Sequence, residues 1–332
     1  MAEMPGSNAN TGHPGREDDK NPFDGITYLY IRTHPADNGS EPLAAGLPFW
    51  VSPDISIIKP DGVEGGTAVA GDTNQLKIKV TNAGGIDAVD AYVEGFVADP
   101  STAFTPLTAT PIGAGFLTIS GYSQAVIQFP WNPSPADAGH RCLLARVNLT
   151  IPPDGYKNGA IFDVVGDRHV AQRNISVVNL QKMQLKQFSF AFALVNPEQE
   201  RAVFTLNARQ VLADDERQLE WLRGAVGCGF AQFSPVKLRS VRVDVEERIP
   251  VRDVSEPEKQ DGRPPMGLLG QAVEPKRTRL KSVGMEPGEV RRAVLTVSAA
   301  STARPGDLQV VEISQLNERQ EVVGGLWIVV QN

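Results

Sequence analysis

"WNPSPADAGHRCLLARV" (131–147), a Pro/Gly/Asp-rich connection, then "VVGDRHVAQRNISVV" (164–178) is the stretch on which the fold turns. Cys142 and Leu144 alternate with Leu143, Ala145 and Val147, so apolar side chains point to both sides of one extended segment. A strand apolar on both faces is a central strand buried on both. Ile175, Val177 and Val178 supply the apolar positions of the next strand. Two strands joined in this way close a β-sandwich.

The text upstream has the same grammar. "FWVSPDISI" (49–57) offers Trp50 as a bulky anchor, with Ile55 and Ile57 on a first strand. In "NQLKIKVTNAGG" (74–85) Leu76, Ile78 and Val80 point in, Lys77 and Lys79 point out, and Asn and Gly turn the chain because they tolerate positive φ. "DAVDAYVEGFVADP" (87–100) places Val89, Ala91 and Val93 opposite Tyr92 and Phe96, and "GYSQAVIQFPW" (121–131) alternates at Ala125, Ile127 and Phe129. Strands at this spacing, with turn signals between them, predict a sandwich and not βαβ units.

These residues carry a resemblance. "LKIKVTNAGGIDAVDAYVEGF" (76–96) resembles the second and third strands of the bacterial CARDB-type (cell-adhesion-related) immunoglobulin-like domains, with Val80, Asn82 and Gly84 on their V-x-N-x-G pattern. "FPWNP" (129–133), "HRCLLARV" (140–147) and "DRHVAQRNISVV" (167–178) are similar to the last three strands of that group. The resemblance covers about residues 50–180 and implies fold, hardly function. The chain departs from it at Arg168–His169, where many members are Asn-rich, which leaves open an ion site in that loop.

A second sandwich is expected over 181–332. "FSFAFALVNPEQERAVFTLNARQ" (188–210) reads as a hairpin turning at Asn196–Pro197, with Phe188, Phe190, Phe192 and Leu194 on one face. "ADDERQLEWLRGAVG" (213–227) reads as a short helix, capped by Asp214 or Asp215 and stopped by Gly227. "VKLRSVRVDVEERIPV" (236–251) aligns Val241, Val243 and Val245, and three more strands follow from residue 289 on, with Trp327 anchoring this core as Trp131 anchors the first. Between them residues 255–277 form a long Pro/Gly-rich charged loop holding an apolar island, Met266, Leu268 and Leu269.

The expected fold class is therefore all-β: two tandem immunoglobulin-like β-sandwiches (50–180 and 181–332), one short helical insertion, and a leading segment 1–49. That segment combines a polar tail, disordered on composition, with a detached strand "ITYLYIRT" (26–33). A strand on a leash pairs either with its own sheet or with a neighbour's. Ile26, Tyr28, Tyr30 and Ile31 are accordingly candidate interaction residues, with Met266, Leu268 and Leu269. On the donation reading, removing residues 1–34 abolishes assembly and leaves folded monomers.

Composition narrows the function. The 332 residues carry a formal charge of −7, which argues against a nucleic-acid-binding face and against electrostatic attachment to an anionic membrane. No stretch approaches the ~20 apolar residues of a membrane span, and residues 1–25 lack the basic start and apolar run of a signal peptide. Cytoplasmic synthesis is expected, with any outside role reached in a released or exported assembly. Cys142 and Cys228 are expected to be reduced and buried.

Nothing amounts to a catalytic signature. G-x-S-x-G, H-E-x-x-H, Walker and G-x-G-x-x-G patterns are absent. All four histidines precede residue 170, so none neighbours Cys228 in its own domain. His140 and His169, with Asp137, Asp163 and Asp167, make an imaginable metal site, but their spacing matches no ligand motif and ordinary loop chemistry accounts for them. No cofactor or metal is expected. The reading is a non-enzymatic structural or interaction subunit with protein partners, chiefly copies of itself, assembling through strand addition and sheet edges into a bacterial particle, fibre or surface structure. The alternative is an accessory binding module for a separately encoded enzyme or surface partner.

Overall fold

The computed structural model describes residues 22–331 apart from 45–46, 67, 135–140, 180–186, 212–219, 222–237, 239, 247–267, 270–277 and 299–307. The strands of the first half are β1 (Leu29–Tyr30), β2 (Ile55–Ile58), β3 (Glu64–Gly65), β4 (Asn74–Asn82), β5 (Ala88–Ala98), β6 (Ala109–Ile119), β7 (Ser123–Trp131), β8 (Cys142–Leu149), β9 (Asp154–Gly155) and β10 (Val170–Arg173). Those of the second are β11 (Ile175–Asn179), β12 (Gln187–Val195), β13 (Ala202–Val211), β14 (Ser240–Glu246), β15 (Leu268–Leu269), β16 (Thr278–Met285), β17 (Val290–Ser298), β18 (Leu308–Leu316) and β19 (Val322–Gln331). The protein is all-β and built of sandwiches, as expected.

Four sheets result. In the first sandwich, β1-β4-β2-β3, with β7 on the other edge of β4, faces β10-β8-β5-β6, with β9 on β8. In the second, β11-β19-β18-β13-β16 faces β12-β17-β14-β15. Leu76, Ile78 and Val80 of β4 point into the first core. Lys77 and Lys79 point out to Glu64 (2.8 Å) and Asp54 (2.9 Å).

The two-sided strand is what welds the halves together. From β8, Leu143, Ala145 and Val147 enter the core of the first sandwich. Cys142 and Leu144, on the opposite face, enter a separate core with Phe96, Phe104, Phe162, Trp50 and, from the second sandwich, Val310, Trp327 and Val329. The outer face of one sheet thus packs on the outer face of another, and the four sheets stack in layers around three cores. Trp50 and Trp327 meet edge to face at 6.4 Å in that shared core. Trp327 is therefore the anchor between the sandwiches, not of the second alone, while Trp131 only borders the first core.

The segment expected to close the first sandwich divides instead. Val170–Arg173 pairs with β8, but Ile175–Asn179 runs parallel to β19 in the second sandwich. The pivot is Asn174, wholly buried. Its amide Nδ2 donates to the carbonyls of Ser101 (2.8 Å) and Gly325 (3.0 Å), its backbone N–H to Trp50 O (2.9 Å), and its carbonyl accepts from Trp327 N–H (3.2 Å). Burying an amide here is tolerable because its hydrogen-bonding capacity is used on both sides of the junction.

Four other expectations are corrected. Residues 188–210 are not a hairpin: β12 pairs with β17 and β13 with β16 and β18, so the chain arches between the two sheets. Val89 does not point inward, because a bulge with Asp90 at φ 57° turns it out (54% exposed) and Ala88 takes its place. Residues 278–285, not read as structured, form β16. Above all, the strand at 26–33 is not detached. Leu29 and Tyr30 pair with Asn82 and Thr81 of β4, and Leu29 and Ile31 are fully buried in the first core. The stretch reads as free because a polar segment follows it, yet its apolar positions fill the host sandwich. Of the expected helix only Glu220 and Trp221 fall among the described residues, and both are helical.

Asn82 and Gly84 have a physical reason for their places. The buried Asn82 side chain accepts from the N–H of Tyr28 (3.1 Å) and Gly84 (3.0 Å) and donates to the carbonyls of Ile86 (2.8 Å) and Ile119 (3.2 Å). A Cβ on Gly84 would strike the Ile26 carbonyl, so the turn and the leading segment approach closely only because that residue is glycine.

Candidate functional site

The seven residues expected to mediate contact scatter. Ile31 is committed to the core, and Tyr28 and Tyr30 are half-buried against their own sandwich. Tyr28 donates from its hydroxyl to Gly39 O (2.9 Å) and lies under the Arg168 guanidinium, 4.1 Å from its ring centroid. Of Ile26, Tyr28, Tyr30 and Ile31, Ile26 alone is exposed, at 45%. Leu268 and Leu269 form β15 against Val245 and Glu246 of β14, and Met266 lies outside the described residues, as do His140, Asp137 and Cys228.

His169 does sit in a cluster, one whose charged groups are bonded to each other. Its Nδ1 meets Asp167 Oδ1 and its Nε2 meets Asp154 Oδ1, each at 2.8 Å. Arg168 reaches Asp154 (2.7 Å) and Glu41 (2.6 Å), and Lys157 reaches Glu41 (3.2 Å). Asp154 Oδ2 accepts the Leu29 N–H at 2.7 Å, and the Arg168 carbonyl accepts the Ile31 N–H at 3.1 Å. Arg168, Lys157 and His169 thus face three carboxylates, and the network straps the leading segment to the β9–β10 connection. Both imidazole nitrogens are taken, leaving no lone pair for a metal. Among the described residues no group of three or more His, Cys, Asp and Glu side chains could hold a metal ion.

The electrostatics follow from this geometry. Burial pulls His169 down, but its bonds to Asp154 and Asp167 outweigh that and hold it above its ordinary 6.5. Burial likewise raises Asp167, while the bonds from His169 and from the Lys157 and His169 N–H groups bring it below its ordinary 3.8. A histidine raised on folding stabilises fully below 6.5 and loses that contribution as pH rises through its folded value. An aspartate lowered on folding contributes above 3.8 and loses it as pH falls through its folded value. We therefore expect the stability gap between wild type and His169→Gln, read by denaturant titration, to be about 3–5 kcal/mol near pH 5 and to narrow as pH rises from 6.5 through the raised folded value. A gap constant over that range would show that His169 is not the titrating group.

Cys142 is no nucleophile. Burial drives its thiol far above its usual range, and it donates to the Asn174 side-chain carbonyl.

The surface feature that does suggest an activity is one the sequence reading passed over. β6 pairs only with β5 and β7 only with β4, so among the described residues no strand pairs with their outer edges. They lie against each other across the sandwich: a Cβ on Gly113 would come within 2.7 Å of the Phe129 ring, and one on Gly115 within 2.9 Å of Ile127. Neither strand, 11 and 9 residues long, contains an Asp, Glu, Lys or Arg. Monomeric proteins usually blunt such edges with charge. Here Pro111 and Pro130 stand near the ends, while Phe116 (66% exposed) and Val126 (42%) stand out from the middle. Tyr92 of β5 supports Phe116 at 5.2 Å. The signal was present in the sequence as two neighbouring charge-free strands, but only the topology reveals that both are edges.

No protein-family model and no curated protein matches the chain. Similar solved structures include a CARDB domain of Pyrococcus furiosus in complex with di-metal ions, 13% identical over 31% of this chain and 78% of that one, TM-score 0.22. The solution NMR structure of a CARDB domain from the same organism is 16% identical over 38% and 94%, TM-score 0.24. Red sea bream transglutaminase is 13% identical over 84% and 31%, TM-score 0.20. The first two belong to the group that residues 76–96 resemble. At such TM-scores none of these likenesses bears on function or ligand. Among the described residues no helix is long and apolar enough to cross a membrane.

Proposed function

We propose that this protein is a non-enzymatic interaction subunit that joins neighbours through strand addition at exposed sheet edges, building a repeating particle, fibre or surface layer. The observation that carries the reading is the pair of adjacent, uncharged, unpaired edges on β6 and β7. The hydrogen-bonded junction around Asn174 suits a building block, since subunits that hold a fixed angle propagate a regular lattice. The leading strand is not the donor, because its own core holds it.

Light scattering over a range of concentrations tests this. The wild type is expected to form concentration-dependent assemblies. Phe116→Lys with Val126→Lys, which places charge on both edges, is expected to weaken association by about a hundredfold or more while shifting stability by only about 0.5 kcal/mol per site, as exposed positions do. A wild type that stays monomeric throughout, or a doubly charged variant that assembles unchanged, overturns the proposal. The monomer result would favour the accessory module, whose partner a pull-down would then identify.

A further inference from the structure

His34 lies in the leading segment with 3% of its surface exposed, and its ring stacks on the indole of Trp221, 8% exposed, with centroids 4.9 Å apart and planes 13° from parallel. Trp221 in turn packs into the core that the two sandwiches share. The stack therefore ties a residue far along the chain to the leading segment of the first sandwich. Its weak point is the ring nitrogen Nδ1, which is buried and bonded to no group of the protein. A neutral imidazole can present a bare nitrogen there. An imidazolium must carry an N–H at both ring positions and bury its charge with them, which is costly where no acceptor stands. Asp37 is the charged side chain that acts on the ring, but its oxygens already accept from the Thr33 N–H (2.7 Å), the Thr33 hydroxyl (2.8 Å) and the Gly39 N–H (2.8 Å). On the other side of the stack Glu220, beside Trp221, is exposed.

We infer that the His34–Trp221 stack is an acid-released latch: when His34 takes a proton, Trp221 leaves the shared core while the first sandwich stays folded. Burial holds His34 below its ordinary 6.5, against the pull of Asp37. The closed form is therefore fully favoured above 6.5 and loses that advantage as pH falls from there through the lowered folded value. Near pH 5 protonation favours the released form by at most about thirtyfold, a factor of about ten for each unit below 6.5. His169 works in the opposite sense, since its bonds to Asp154 and Asp167 hold it above 6.5 and its stabilisation is complete in acid. The strap on the leading segment is thus at full strength where the latch gives way, which confines the change to the stack. Release bares the indole and makes an apolar surface of the protein conditional on pH.

Tryptophan fluorescence of the full-length protein tests this, with the Trp221 signal taken as the difference between wild type and Trp221→Phe. From about pH 7.5 to about pH 5 that signal is expected to move to longer wavelength and its acrylamide quenching constant to rise at least about threefold. The change should be reversible and leave the far-UV circular dichroism as it was. His34→Phe keeps a ring on the indole but cannot titrate, so its Trp221 signal, taken against the same variant with Trp221→Phe, is expected to stay that of a buried indole throughout. If that variant does not fold, the wild-type titration decides alone. The inference is overturned by a wild-type signal that stays flat, by a midpoint below about pH 4.5, where carboxylates titrate, or by a His34→Phe variant that follows the wild type. Lost intensity without a red shift or a gain in quenching overturns it too, since the protonated ring then quenches the indole with the stack closed. Circular dichroism lost in the same step would show global unfolding in place of a latch.

Discussion

Removing residues 1–34 is expected to unfold the first sandwich. The truncation deletes Leu29 and Ile31, both fully buried, and each cavity of that kind costs about 2–5 kcal/mol. It also deletes Arg32, whose guanidinium grips the buried Asp54 with two contacts, Nε to Oδ2 at 2.9 Å and Nη2 to Oδ1 at 2.6 Å, leaving that carboxylate with Lys79 as its remaining cation. Asp154 loses the Leu29 N–H and Arg168 loses its seat on Tyr28. Set against the ~5–15 kcal/mol by which domains are stable, this loss is too large to survive. The truncated protein should be insoluble or lack a cooperative melt, and the single change Ile31→Ala should lower stability by about 2–4 kcal/mol. A truncated protein that stays soluble and melts near the wild-type temperature would restore the detached strand, and strand donation with it.

The second large effect is expected at Gly325→Val. A Cβ at this position would run into the Trp50 ring, with Cε3 and Cη2 of the indole both within 2.7 Å. Trp50 has little room to yield, because Phe49 packs edge to face on it at 4.9 Å and Trp327 at 6.4 Å. The Gly325 carbonyl also accepts the Asn174 amide, so a shift of this backbone breaks the pivot. Overpacking typically costs about 1–3 kcal/mol, and a rigid aromatic against backbone belongs at or above the upper end. We expect calorimetry to show one cooperative transition for the wild type, because the halves share a core, and two separated transitions for the variant. One unchanged transition in Gly325→Val would mean that the junction contributes little.

What could be read beforehand depended on the range of the interactions. The β4 alternation and the two-sided pattern at 142–147 are local, set by the period of a strand, and both are present as expected. That Cys142 and Leu144 face a second sandwich was not legible, since an apolar face does not say what covers it. The integration of Leu29 and Ile31 depends on partners more than 50 residues away in sequence, and the split at Asn174 on a residue that in sequence is an ordinary turn former. Val89 turns outward because of one left-handed residue, Asp90, which no periodicity announces. For the candidate site, His169 was noted with Arg168 and Asp167 but not with Asp154 and Glu41, which converge only when the chain folds. The β6 and β7 edges went unnoticed because residues 109–119 were not read as a strand and because strand order is a long-range property.

The parallel pairing of β11 with β19 has a mechanical meaning. The chain enters β11 from the first sandwich at Ile175, opposite Trp327, and the pairing ends with Asn179 opposite Gln331, close to the carboxyl end. A pull between the first sandwich and that end therefore acts along the two strands in opposite directions. The ladder is loaded lengthwise, its hydrogen bonds bear tension together, and none can be peeled away ahead of the others. Under a load applied in this way, this short ladder would act as a shear clamp at the joint between the two halves.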